Sequence, residues 1–259
     1  VNTSPTNIGM AMAAAVSAAE LGLITADELE KRLSGTMDTV DKMQKWHGHL
    51  YNWYRTDTLE VMRPRYVSTV DSGNFCACLI TGSMALKKYG REDTAARLER
   101  AARETDFSAL YDAERKLFRI GYDGDACELS NSWYDLLASE ARLTSLIAVA
   151  LGSVKPEHWF KLGRQMAPVL GGTLVSWSGT MFEYLMPVLF TGAVPDTLLY
   201  NSCLNAVKAQ KRQRYGGVWG ISESGYYAFD RNMYYQYRAF GLQRLSLMSC
   251  RERSRVISP

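Results

Sequence analysis

Ser130-Asn-Ser-Trp-Tyr-Asp-Leu-Leu-Ala-Ser-Glu-Ala-Arg142 is the stretch around which the rest of the chain can be arranged. Ser and Asn are helix-capping residues, and no Gly or Pro interrupts the run before Leu151, so the pattern predicts a helix over 130–151. At the helical angle of about 100° per residue, Trp133, Leu137, Thr144, Ile147 and Leu151 fall on one stripe with Glu140 in its middle. Arg142 falls on the other side, near Asp135, and offers Glu140 no partner along the helix. An unpaired carboxylate on an apolar face is strongly disfavoured. Two explanations stay open for Glu140: an acid bonded to a distant Arg or backbone group, and a working acid in a wet cavity.

The 259 residues are 47% hydrophobic and 22% charged, ordinary globular values. A net charge of +3 is too mild to argue for nucleic acid or an anionic membrane. No apolar run is long enough to enter a membrane, and no signal-peptide pattern opens the chain. The first residue is Val, so the expectation is a single domain, 1–259, taken from a longer protein. Five scattered cysteines make no disulfide framework, which points to a reducing, cytoplasmic setting. His47-Gly-His49 is the one close histidine pair, and without thiols or carboxylates at ligand spacing neither a metal nor another cofactor is expected. Fifteen Tyr and six Trp are the anomaly; such flat amphipathic rings suit sugars, or simply fill an aromatic core.

Along the chain, Thr3-Ser-Pro-Thr-Asn7 caps a small, apolar helix over 8–21 that reads as buried all round. Thr25 and Glu28 fit a capping box for a second helix reaching about Lys45. Residues 46–69 read as an irregular loop or small hairpin crowded with aromatics, and loops commonly carry function. Asp71 reads as the cap of a helix over 75–89, and residues 92–104 as an exposed helix rich in Arg/Glu pairs. A short strand over 117–122, a helical connector at 156–160 and a helix over about 196–212 follow. Between Gln165 and Pro195 the only charged residue is Glu183, which with Thr180 fits another capping box. Glu223 stands in a glycine-rich turn among Tyr226, Tyr227, Tyr234, Tyr235 and Tyr237, with no other charge between Arg214 and Asp230. The fold class expected is all-α, helical hairpins around a centre with short β-hairpin and loop insertions.

Glu140, Glu183 and Glu223 are thus three carboxyl groups in apolar or aromatic surroundings. No nucleophile elbow, phosphate loop or dinucleotide fingerprint accompanies them. Carboxyl pairs among Trp and Tyr are the minimum equipment for glycoside chemistry, one protonated and the other ionised. An apolar helix face would raise Glu140 as proton donor, and backbone N–H groups of the glycine turn would keep Glu223 ionised.

Five stretches carry a more specific signal: Trp46-His-Gly-His-Leu-Tyr-Asn-Trp-Tyr54, Arg65-Tyr-Val-Ser-Thr-Val-Asp-Ser-Gly-Asn74, residues 130–142, Val175-Ser-Trp-Ser-Gly-Thr-Met-Phe-Glu-Tyr184 and Trp219-Gly-Ile-Ser-Glu-Ser224. In this order they resemble the glucoamylase-like domain of cyclic β-1,2-glucan synthases, from Thr3 to Pro259. The resemblance implies an (α/α)6 toroid whose cleft takes linear β-1,2-glucan, and a retaining transglycosylation that closes the chain into a ring without metal or nucleotide. It matches Glu140 to the acid/base and Glu223 to the nucleophile. Asp71, Trp177 and Glu183 match cleft positions, and Trp46, His47, Tyr51, Trp53, Arg65, Asn131, Tyr134 and Trp219 lie in matching stretches as substrate-binding candidates. It also implies flanking domains of a larger membrane-associated synthase. Two departures stand out: the segment before Trp219 is short, and Gly225-Tyr226 replaces the family's Tyr-Asn. A twelve-helix toroid needs more helices than the sequence offers, so an incomplete barrel is expected. Two other readings remain: an endo-β-1,2-glucanase of the same fold, and a non-catalytic glucan-binding scaffold.

Overall fold

The computed structural model describes residues 1–213, 217–225, 231 and 236–247. Tyr226, Tyr227, Tyr234, Tyr235, Arg214 and the basic stretch ending at Pro259 lie outside the described residues. The chain divides into two compact units, the first Val1–Tyr134 with Leu143–Lys161, the second Asp135–Arg142 with the chain from Leu162 onward.

The first unit is built on α1 (Pro5–Glu20), α2 (Ala26–Val40), α3 (Thr69–Lys88) and α4 (Glu92–Glu104). Ser4 starts α1 by accepting the Asn7 N–H, with Pro5 in the first turn where its missing donor costs nothing. The helix buries one side only, Met12, Ala15, Val16 and Ala19, rather than its whole circumference as the sequence suggests. Its small residues serve close approach instead: a Cβ on Gly9 would lie 3.0 Å from the Cys78 sulfur of α3. In α2, Thr25 accepts the Glu28 N–H, but the Glu28 carboxylate turns to Arg32 and leaves the capping box half made. The expected exposure of α4 holds for one face. Ala95, Leu98 and Ala102 are buried, while Arg97 reaches Asp38 of α2 and Asp41 just past its end on the outer side. Leu29, Leu33, Met37, Leu79, Leu86 and Leu98 form the centre of this core.

Asp71 is not the cap of α3. Ser68 is, accepting the Asp71 N–H at 3.2 Å. The strand Tyr66–Ser68 pairs with Gly121–Asp123, which holds Ser68 extended and lets the helix begin at Thr69.

The stretch 130–141 is not helical either; α5 spans Arg142–Ala150, and α6 follows at Glu157–Lys161. Trp133 and Tyr134 form a strand opposite Arg119 and Phe118. The Trp133 indole N–H donates to Asp112, and the Arg115 guanidinium stacks 4.0 Å over its ring. Leu136, Leu137 and Ala138 are then buried in succession, with Leu137 donating to the Gly163 carbonyl. A run buried on consecutive residues has no helical stripe, and the spacing that imitates one arises from two separate environments.

The chain is mainly helical, and its described residues also form six small two- or three-stranded sheets, in keeping with the short β insertions expected between helices. In the second unit α7 (Met181–Leu185), α8 (Val188–Thr191) and α9 (Leu198–Arg212) accompany the paired strands Met166–Ala167 with Thr173–Leu174 and Glu223–Gly225 with Tyr237–Ala239.

Gly73 in α3 tests the first unit's packing, because a Cβ there would fall 1.9 Å from the Thr144 hydroxyl of α5 and 2.7 Å from its Cα. Alanine gains about 1 kcal/mol of helix propensity, but overlap with backbone outweighs it. Gly73→Ala is expected to lower unfolding free energy by about 1–3 kcal/mol in urea titration.

Candidate functional site

Glu183 lies in the first turn of α7 with 6% of its surface exposed. Its Oε2 accepts from the Ser176 hydroxyl at 2.9 Å, the Thr180 N–H at 2.9 Å and the Thr180 hydroxyl at 3.0 Å. Oε1 accepts from the Ser178 N–H at 3.2 Å. The Glu183 N–H returns a bond to the Thr180 hydroxyl, so the capping box read from the sequence is complete. Every partner is a donor, the set a carboxylate takes. Glu183 is therefore committed to shaping the 176–183 turn.

That turn is gripped from behind. Gly179 adopts φ +69°, and a Cβ there would meet the Leu242 carbonyl at 2.4 Å; a Cβ on Gly241 would meet Gly179 carbon at 2.0 Å. Ser176 donates to the Leu245 carbonyl, and Leu242 donates to that of Gly179, both at 2.9 Å.

Glu223 stands at the start of its strand, half-buried. Gln210 on the buried face of α9 holds both main-chain groups of Ile221, at 2.6 and 2.8 Å, and the Ser222 hydroxyl accepts the Phe182 N–H. These contacts deliver the Glu223 side chain to the α7 turn, where Oε1 lies 3.3 Å from the Thr180 hydroxyl and Oε2 accepts from the Tyr237 hydroxyl. Both its described partners are hydroxyls. The backbone N–H groups expected to keep it ionised are not among them. Burial, then the negative charge of Glu183, push the Glu223 carboxyl up to about 7; a Thr180 hydroxyl turned to donate to Glu223 acts in the lowering direction.

Glu140 lies in the turn just before α5, not on a helix face. The next side chain but one fixes that turn. Arg142, buried, donates to the Ser139 carbonyl at 3.0 Å and to the Glu183 carbonyl at 2.7 Å, and also reaches the Tyr184 carbonyl. Burial lowers its pKa, and carbonyls at the far end of α7 supply the partial negative charge that a buried cation needs. The backbone carrying Glu140 is thus fastened to the helix whose opposite end meets Glu223. Trp177 and Trp219 belong to the same unit, 38% and 39% exposed, with Lys211 over the Trp219 ring.

The remaining candidates belong to the first unit. Trp46 stacks on Tyr122 at 4.1 Å, and His47 stands edge-on to it at 4.6 Å. His49 is buried, donating through Nε2 to the Asp106 carbonyl, and burial drops its pKa to about 4. Tyr51 is buried, whereas Trp53 is 45% exposed. Arg65 is paired with Asp125 at 2.8 Å, and Asp71 accepts from Thr6 of α1. Asn131 is exposed, and Tyr134 is half-buried in its strand.

Sequence reasoning missed Gln210, Arg142 and the hydroxyl of Thr180 as parts of the site. A fully polar glutamine on the apolar side of α9 was the available signal for the first.

The mainly helical fold with short β-insertions is of the glucoamylase-like class, as its match to solved structures shows. The endo-β-1,2-glucanase from Chitinophaga pinensis, solved with sophorotriose and glucose, shares the fold at a TM-score of 0.72 and 16% identity, over 95% of this chain and 65% of its own. A protein described as a glucoamylase from Bacteroides fragilis NCTC 9343 gives a TM-score of 0.72 at 16% identity, over 94% and 64%. In sequence, the chain is homologous to a segment of the cyclic beta-(1,2)-glucan synthase NdvB of Rhizobium meliloti (strain 1021), 32% identical over 99% of this chain. It spans 14% of that relative's length. A family described as "protein of unknown function" (DUF3131) matches residues 2–78. The alignment with NdvB runs over 387 positions against the 259 residues here, so at least 128 positions have no counterpart in this chain. Together with the coverage of the solved structures, this identifies the fold as part of an α/α toroid.

Between the ordinary carboxylate value of 4.5 and about 7, Glu223 keeps its proton when folded and has lost it when unfolded. Its contribution to stability therefore falls as pH rises across that window. Glu223→Gln, which cannot ionise, is expected to melt higher than the parent at about pH 8, with that advantage gone at about pH 4.

Proposed function

We propose that the chain acts on β-1,2-glucan, cleaving and re-forming β-1,2-glucosidic bonds with retention, so that linear glucan is closed into rings. Glu140 serves as acid/base and Glu223 as nucleophile. The observation that carries this reading is the carboxyl cluster of the second unit. Glu223 is held among hydroxyls beside a second carboxylate, on a chain homologous to a cyclic β-1,2-glucan synthase. Trp177 and Trp219 of the second unit expose rings on which sugars can stack. In the first unit, Trp46, His47, Tyr51, Trp53, Arg65, Asp71, Asn131 and Tyr134 are the glucan-binding candidates.

Retention requires Glu223 ionised to attack the anomeric carbon, while Glu140 gives its proton to the leaving oxygen and later takes one from the incoming sugar hydroxyl. With Glu223 near 7, that chemistry switches on as pH rises through neutrality. The same observation favours a second reading, in which Glu223 is the proton donor and the enzyme hydrolyses β-1,2-glucan; its activity then falls through the same range. Among the described residues no helix is long and apolar enough to cross a membrane. The 14% coverage of NdvB supports work as a segment of a larger synthase, which we place at the cytoplasmic side of a membrane-associated protein on the resemblance alone.

Incubation with linear β-1,2-glucan across pH, followed by product analysis, tests the reading. Rings with an ascending limb near pH 7 are expected; shorter chains with a descending limb identify a glucanase, and unchanged glucan identifies a binding scaffold. Glu140→Gln and Glu223→Gln are each expected to lower turnover by about 100-fold or more. Full activity in either removes that residue from the mechanism.

A further inference from the structure

The Thr180 hydroxyl lies between two carboxyl groups and has one proton to give. Its oxygen is 3.0 Å from Glu183 Oε2 and 3.3 Å from Glu223 Oε1, and it already accepts the Glu183 N–H at 3.2 Å. If both acids are ionised, two carboxylates compete for one hydrogen and one goes without. If Glu223 carries a proton on Oε1, every position is filled: Glu223 donates to Thr180, Thr180 donates to Glu183, and Glu183 keeps its Ser176 and main-chain donors. Tyr237 continues to donate to Glu223 Oε2 in either state.

We propose that Thr180 is a positioning residue that couples the two carboxyl groups, turning its hydrogen toward Glu183 and so favouring the proton on Glu223. The coupling is a property of the second unit alone; its use in timing the Glu223 proton rests on the glucan reading. When Glu223 gives up that proton, the Thr180 hydroxyl rotates to Glu223 Oε1, and Glu183 retains three other donors. No atom is gained or lost within the pair beyond the single proton.

Among the described residues, the titratable groups facing Glu223 are Glu183, from the α7 turn, and Tyr237, from the paired strand. The charged and titratable groups nearby turn elsewhere. Arg142 serves the Glu183 and Tyr184 carbonyls, Tyr184 the Leu174 carbonyl, Lys211 the Trp219 ring, and Arg238 lies opposite Ser224.

Direction of the hydrogen decides the sign of the test. A Thr180 that donates to Glu223 lowers that group's pKa, and removing it raises the midpoint; a Thr180 that accepts from Glu223 does the reverse. The midpoint is read without any substrate, from the infrared carbonyl band of protonated Glu223 isolated by subtracting the Glu223→Gln spectrum. Thr180→Val is expected to lower it by about one pH unit, a tenfold change in acidity, and Thr180→Ser to restore it. Thr180→Ala, which removes the hydroxyl with a smaller side chain, is expected to lower it as well, and this arm stands if Thr180→Val fails to fold. A midpoint that rises or stays put in the arm that folds overturns the coupling. Absence of glucan activity in the unsubstituted chain, with the shifts intact, overturns only the functional reading.

Discussion

Glu183 is almost sealed from water, and a carboxylate at that depth is tolerable only with donors on both oxygens. The chain meets that demand by bending residues 176–180 into a turn whose N–H groups and hydroxyls converge on one side chain. Much of the second unit follows. Thr180 is fixed as a helix cap and is thereby placed beside Glu223, while the carbonyls at the other end of α7 are left for Arg142, which ties down the turn bearing Glu140. Removing one partner of such an assembly costs more than the bond itself, because the group left behind is buried and unsatisfied.

The first unit rests on a different constraint, backbone proximity. Gly9 and Gly73 let α3 approach α1 and α5 at distances where a methyl group would collide. Around these contacts the leucines of α2, α3 and α4 supply the apolar burial, and the outer ion pairs of Arg97, partly exposed, add little. His158 shows how polar groups are fitted into this interior. Its Nδ1–H donates to the Lys116 carbonyl, and Nε2 accepts from the Ser145 hydroxyl, so a neutral ring is fully bonded while burial depresses its pKa.

Local devices were legible in the sequence, and long-range ones were not. Thr180 and Glu183 stand three residues apart, and their box follows from that spacing alone. The α2 and α9 helices read correctly to within a few residues at most boundaries, because one apolar face and one cap specify each. The 130–151 stretch misled because a strand, a buried extended run and a short helix, laid end to end, imitate a stripe. Asp71 sits at a plausible cap position, yet the decision belonged to a strand partner some fifty residues away. The proton affinity of Glu223 depends on Glu183, on a hydroxyl 43 residues earlier and on burial, none of which spacing reveals.

The grip of residues 241–247 on the 176–180 turn has a bearing on how the molecule comes into being. Ser246 bonds the Trp177 carbonyl across 69 residues of chain, and the Gly179–Gly241 crossing admits no side chain on either strand. A ribosome making this protein releases the α7 turn well before the strand that must lock it. Until then the turn's acidic residue has no finished enclosure, and closing so long a loop is entropically slow. The enclosure of Glu183 therefore closes only after residues 241–247 have been made, later than the segments that build the first unit.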